Sequence, residues 1–214
     1  ALIEPALLVV LAGVCAALHV GKLPPAIPVL REALGLGLVQ AGFLLSAVQI
    51  AGMSTGALMG RLADGLGLRR SMLLGLSVLA LASLGGAAAQ GVSALLWLRF
   101  VEGFGFLLVV LPAPSLVRRL VAPERMSQLL GWWGAYMPLG TALALLVGPV
   151  FTEAMGWAAW WGLLGAVSAG MALWLAQAVP ADSVAAAHGG AGLPTRSPAT
   201  AKGATQAGIQ ATTQ

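Results

Sequence analysis

The chain has 214 residues, of which 59% are hydrophobic and only 8% charged, whereas charged residues make up about a quarter of an ordinary soluble domain. That balance excludes a soluble globular domain and makes the bilayer the natural solvent. The formal net charge of +4 does not mark a nucleic-acid partner, because the basic residues sit between hydrophobic runs and form no continuous stripe.

Inside hydrocarbon each backbone polar group must find its bond within its own segment, so long apolar runs fold as helices. The alternating polarity of barrel strands is absent. Spanning the hydrocarbon core takes about 20 helical residues, and six such stretches follow one another: Pro5 to Pro28, Leu38 to Gly60, Ser71 to Ala89, Ser93 to Val117, Ser127 to Val150 and Trp157 to Val179. The fold class expected is therefore an all-α membrane protein, a six-transmembrane-helix bundle occupying residues 1–179. The first stretch exceeds the apolar core of a secretory signal and no basic segment precedes it, so it reads as a retained helix. It holds Cys15, the sole cysteine, expected to be a buried thiol; a single cysteine forms no internal disulfide or cysteine-built zinc cluster.

Lysine and arginine placement sets the expected orientation. The second connection carries Arg61, Arg69 and Arg70 and the fourth carries Arg118, Arg119 and Arg125, while the third and fifth carry no basic residue. Even connections then face the cytoplasm, as do both termini, in a bacterial inner membrane. Arg31 in the first connection is offset by Glu32. Trp157, Trp160 and Trp161, with Trp132 and Trp133 at the opposite end, are expected as interfacial belts. From Pro180 onward the composition turns to Ala, Gly, Thr, Ser, Pro and Gln, so 180–214 reads as a disordered cytoplasmic tail or interdomain linker.

The second connection, Gly60-Arg61-Leu62-Ala63-Asp64-Gly65-Leu66-Gly67-Leu68-Arg69-Arg70, resembles the signature loop between helices two and three of the major facilitator superfamily. Gly60, Asp64, Gly67, Arg69 and Arg70 match; Gly65 and Leu68 stand where the family usually has basic residues. Helix four supplies Arg99-Phe100-Val101-Glu102-Gly103-Phe104-Gly105, similar to the family's Arg-x-x-x-Gly-x-Gly pattern, with Glu102 where glutamine is common. The fourth connection and helix five, Arg119 to Arg125 and then Gly131-Trp132-Trp133-Gly134 and Pro138-Leu139-Gly140, resemble the family's basic loop and Gly/Pro-rich helix. The Gly-Pro element of drug and proton antiporters is not reproduced, because Gly148-Pro149 falls too late. His19-Val20-Gly21-Lys22-Leu23-Pro24 also looks, more loosely, like bacterial members grouped with cyanate and nitroimidazole-type transporters.

That resemblance implies a secondary transporter working by alternating access, with about twelve helices in two halves and the solute between them. This chain then corresponds to the amino-terminal half of a major facilitator fold plus the start of the central linker, and a second six-helix half or a second copy completes it. The signature loop would act as a conformational switch, latching the halves in the outward-facing state.

Candidate translocation residues come from charges inside the spans, since an ionisable group at membrane depth costs several kcal/mol and normally faces a partner or a cavity. Arg99 and Glu102 are three apart, hence on one helical face. Counting 1.5 Å per residue puts Lys22 and Arg99 at similar depth. If both cations face a central cavity they attract a small organic or inorganic anion, with Glu102 or His19 exchanging a proton. A purely structural ion pair for Arg99 and Glu102, snorkelling for Lys22 and a core hydrogen bond for His19 are the competing readings. On helix two, Ser46 and Gln49 share a face and could line the cavity, while Gly52, Gly56 and Gly60 are expected to pack against another helix.

Other classes are an inactive truncated fragment and a non-transporting six-helix assembly partner. An enzyme is not expected, because the sequence holds no metal-spaced His cluster and no Ser/His/Asp set. No cofactor is expected. The partners are membrane lipid, the solute and a proton.

Overall fold

The computed structural model describes residues 4–181, and every regular element among them is helical. In chain order these are α1 (Pro5–Gly21), α2 (Leu23–Leu34), α3 (Leu38–Leu66), α4 (Leu68–Ala87), α5 (Val92–Val110), α6 (Ala113–Leu120), α7 (Pro123–Gly134) and α8 (Tyr136–Ala178). The stretch expected as tail or linker lies outside the described residues from 182 onward, together with His188.

Prolines explain why there are more helices than apolar runs. Pro24 and Pro25 supply no backbone N–H to the carbonyls of Val20 and Gly21, so α1 and α2 are separate helices joined at Lys22, whose dihedrals remain helical. Pro112 and Pro114 likewise separate α5 from α6. By length and hydropathy, five helical stretches could cross a membrane: Pro5–Leu34, Leu38–Leu66, Leu68–Ala87, Val92–Leu120 and Pro123–Ala178.

The fifth stretch has 56 residues, which as straight helix would reach ~84 Å against a hydrocarbon core of about 30 Å. It is not straight. Gly156 has φ 82° and ψ 165°, a conformation open to glycine and strained for other residues, and the chain reverses there. Phe151 and Trp160 bring their rings to 5.5 Å across the break, where nine residues of continuous helix would separate them by about 13 Å along the axis.

The two legs of α8 also run in opposite directions along α1. On the first leg, Gly140 lies against Val14 and Ala17, Thr141 and Ala144 against Gly21, and Gly148 against Pro25, so both chains advance together. On the second leg, Trp160 bonds to the Lys22 carbonyl while the later Ser168 reaches His19 and Cys15, so the chains advance oppositely.

The remaining packing mirrors this arrangement: α5 lies against both α3 and α4, and α4 also packs on α8. Small residues set the distances. A Cβ on Gly75 would stand 2.6 Å from the Gly105 carbonyl oxygen, and a Cβ on Gly105 would stand 2.9 Å from that of Gly75, so α4 and α5 meet backbone to backbone. The core runs from Leu8, Val9 and Ala12 of α1 through Met72, Leu76 and Leu79 of α4 to Val109, Leu116, Leu129 and Leu175.

At one end of the bundle, Arg125 Nη1 donates to Glu4 Oε1 at 3.0 Å, and Arg69 Nη2 donates to the Ala176 carbonyl at 2.6 Å. The start of α1, the α3–α4 turn, the start of α7 and the end of α8 therefore share that end.

Two expectations are corrected. Gly56 and Gly60 have nothing within 4 Å of an added Cβ, and Gly52 meets only Leu107 at 3.8 Å, so this trio does not pack inside the bundle; its face of α3 points outward. Trp160 and Trp161, expected as belt residues, are 2% and 0% exposed, because the reversal at Gly156 turns them inward.

Gly75→Val is expected to cost about 1–3 kcal/mol through forced separation of α4 and α5, while Gly162→Ala, with nothing within 4 Å, should leave stability unchanged. Melting temperatures of the purified variants in detergent check this; an unaffected Gly75→Val would contradict the close approach.

Candidate functional site

Helical spacing places Cys15, His19 and Lys22 on one face of the first stretch, and Arg99 and Glu102 on one face of α5. These faces meet. Glu102 Oε1 accepts a short hydrogen bond from Lys22 Nζ, and its other oxygen, Oε2, accepts from Arg99 Nη1 at 2.6 Å. One carboxylate is thus shared by two cations.

Other elements close around the trio. Lys22 Nζ also donates to Ser83 Oγ of α4 at 2.8 Å and lies 4.7 Å from the centre of the Trp161 ring, a favourable cation–π placement. Ser83 donates onward to the Trp161 carbonyl at 2.8 Å. His19 Nε2 lies 2.7 Å from Ser168 Oγ, and Cys15 Sγ lies 3.5 Å from the same hydroxyl.

His19 Nδ1 lies 3.3 Å from Lys22 Nζ and 3.6 Å from Glu102 Oε1; a neutral ring with its hydrogen on Nε2 accepts from the lysine and donates to Ser168. With a neutral ring, the cluster holds two positive charges and one negative.

The broken helix contributes as well. Arg99 Nη1 donates to the His19 carbonyl at 2.7 Å and Trp160 Nε1 to the Lys22 carbonyl at 3.1 Å. Hydrogen bonds from side chains thus brace the first stretch on either side of the carbonyls that its prolines leave without helical partners. Among the described residues, Arg99 Nε is buried without a hydrogen-bond partner.

Lys22 is 0% exposed and His19, Arg99 and Glu102 are each 1% exposed. Lys22 does not snorkel, and Lys22, Arg99 and Glu102 are closed off from solvent in this conformation. Gln49, by contrast, is exposed on α3 and joins none of these contacts. In the α3–α4 turn, Gly67 has φ 92° and needs glycine, Asp64 is exposed near the end of α3, and Gly60 lies within α3 with no neighbour to exclude a side chain.

The sequence did not point to Ser83 or Ser168, and Trp161 was expected in an interfacial belt rather than against Lys22. Isolated hydroxyls in apolar runs are the signal the two serines give, and which hydroxyl meets which charge depends on the fold.

Removing one partner of a buried ion pair costs about 3–5 kcal/mol, because the other charge is stranded. Glu102→Leu is therefore expected to lose about that much, and Lys22→Met combined with Glu102→Leu to lie closer to wild type than Glu102→Leu alone. Thermal unfolding of Glu102→Leu, Lys22→Met and the double variant measures the coupling; strictly additive losses would contradict a shared carboxylate.

Comparison with known proteins adds two findings. An uncharacterized MFS-type transporter of Mycobacterium tuberculosis is 29% identical over 130 residues, which is 61% of this chain and 22% of that protein's length. The profile of the Major Facilitator Superfamily matches residues 9–207. Set beside the all-helical bundle and its charged interior, that match means the chain belongs to the Major Facilitator Superfamily of membrane transporters.

Proposed function

We propose that this chain forms the amino-terminal, six-crossing half of a secondary transporter that moves a small anionic solute by alternating access, with a proton exchanged at Glu102 or His19. The observation that carries the reading is the sharing of one carboxylate by Lys22 and Arg99 at membrane depth, which leaves the interior of the bundle positively charged. The sixth crossing is supplied by the reversal at Gly156. Orientation follows the arginine-bearing connections, with both termini cytoplasmic in a bacterial inner membrane.

A second half, or a second copy, completes the transporter in this reading. Its support is the outward face of α3, where Gly42, Ser46, Gln49, Met53, Gly56 and Gly60 recur at alternating intervals of four and three residues. That is the interval of a helix–helix seam, and small residues along it permit close approach. Met53 on this seam is 89% exposed. The signature loop, with Arg69 bonded to the last turn of α8, would couple this half to whatever follows it.

The sealing of the cluster favours a second reading: Lys22, Arg99 and Glu102 serve as an internal brace for the broken first stretch, and the solute meets other residues, Gln49 among them. Uptake of a panel of small anions into vesicles containing the full-length protein separates the two. Loss of uptake in correctly inserted Lys22→Ala and Arg99→Ala is the result expected for a cationic site. Uptake retained in both would transfer the site elsewhere, and no uptake of any anion by wild type would sink the anion reading.

A further inference from the structure

We propose that the Lys22, Arg99 and Glu102 cluster selects singly charged anions by charge balance, with Glu102 acting as a resident counter-ion that sets the valence of the solute. This rests on the anion reading above and adds to it the solute's charge.

The described cluster contains an ammonium, a guanidinium and one carboxylate, all at most 1% exposed, around His19, whose Nδ1 lies 3.3 Å from Lys22 Nζ and 3.6 Å from Glu102 Oε1 and which enters the count as the neutral ring. The titratable groups in contact are thereby counted, with Cys15 the remaining neighbour through Ser168. The residual charge is one positive unit. Burying net charge in a medium of low dielectric constant costs energy that grows with the square of that charge. A monovalent anion takes the residue from one unit to none. A divalent anion takes it from plus one to minus one, and gains nothing by this criterion.

A second observation points to the same occupant. Arg99 Nε is a buried donor without a partner among the described residues, while Nη1 of the same guanidinium is committed to Glu102 and the His19 carbonyl. An anion oxygen on Nε would satisfy the donor and supply the missing charge together. Entry requires the bundle to open around Lys22, and the break between α1 and α2 places that residue where the first stretch has lost helical hydrogen bonds.

Changing the resident charge should therefore change the preferred valence. Glu102→Gln leaves two positive units, which a divalent anion cancels. Lys22→Gln combined with Glu102→Gln restores one unit with neither member of that pair present. Glu102→Asp keeps the original count.

Affinities of the full-length protein for formate and nitrate, against oxalate and sulfate, are measured by ligand-induced thermal shift at a pH where oxalate is fully ionised. The expected monovalent-to-divalent affinity ratio is above roughly ten for wild type, Glu102→Asp and the double variant, and below roughly one for Glu102→Gln. Equal or stronger binding of divalent anions by wild type overturns charge balance while leaving an anion site standing, as does a monovalent preference in folded Glu102→Gln. Binding of none of the four anions by wild type overturns the anion reading along with this inference. If Glu102→Gln does not fold, the double variant decides: divalent preference there overturns the proposal, and monovalent preference upholds it.

Discussion

A carboxylate held between two cations in a membrane interior constrains nearly everything around it. Glu102 requires Lys22 and Arg99 within hydrogen-bonding reach, so α5 must lie with that face toward the first stretch, at the level where its prolines interrupt the helix. Arg99 then serves twice, as counter-ion and as donor to the His19 carbonyl. A leucine in place of any of these groups would bury well in lipid; the charges are stable only because each has polar neighbours drawn from α1, α4, α5 and α8. The cluster thus ties together the parts of the bundle that apolar contacts alone would leave free to slide.

The sequence was legible wherever the governing physics is local. Hydropathy located the apolar runs, and counting helical rise placed Lys22 and Arg99 at the same depth, which agrees with their meeting on Glu102. The i, i+3 spacing of Arg99 and Glu102 was enough to anticipate their ion pair. The connection expected between Val150 and Trp157 contains Gly156, and the rings of Phe151 and Trp160 lying side by side show the chain reversing there.

What stayed hidden depends on contacts between distant segments. Trp160 and Trp161 have the composition and position of belt residues, and only the direction in which the second leg of α8 leaves Gly156 decides that they point inward. Ser83 and Ser168 look like any small residue tolerated in a membrane helix, yet they complete the hydrogen bonding of Lys22 and His19. The glycines of α3 show the reverse case. Their spacing suggested packing against another helix, but among the described residues Gly56 and Gly60 meet no neighbour.

The way α1 is packed has a consequence for biogenesis. Its principal neighbours are the two legs of α8, more than a hundred residues later in the chain, while Glu102 is separated from Lys22 by 80 positions. The earliest of these stretches to be synthesised is therefore the last to be enclosed. Until α5 is made, Lys22 and His19 lack the carboxylate that they later share. Insertion of the first stretch and assembly of the bundle are then separate events, with the charge pair forming only at the second.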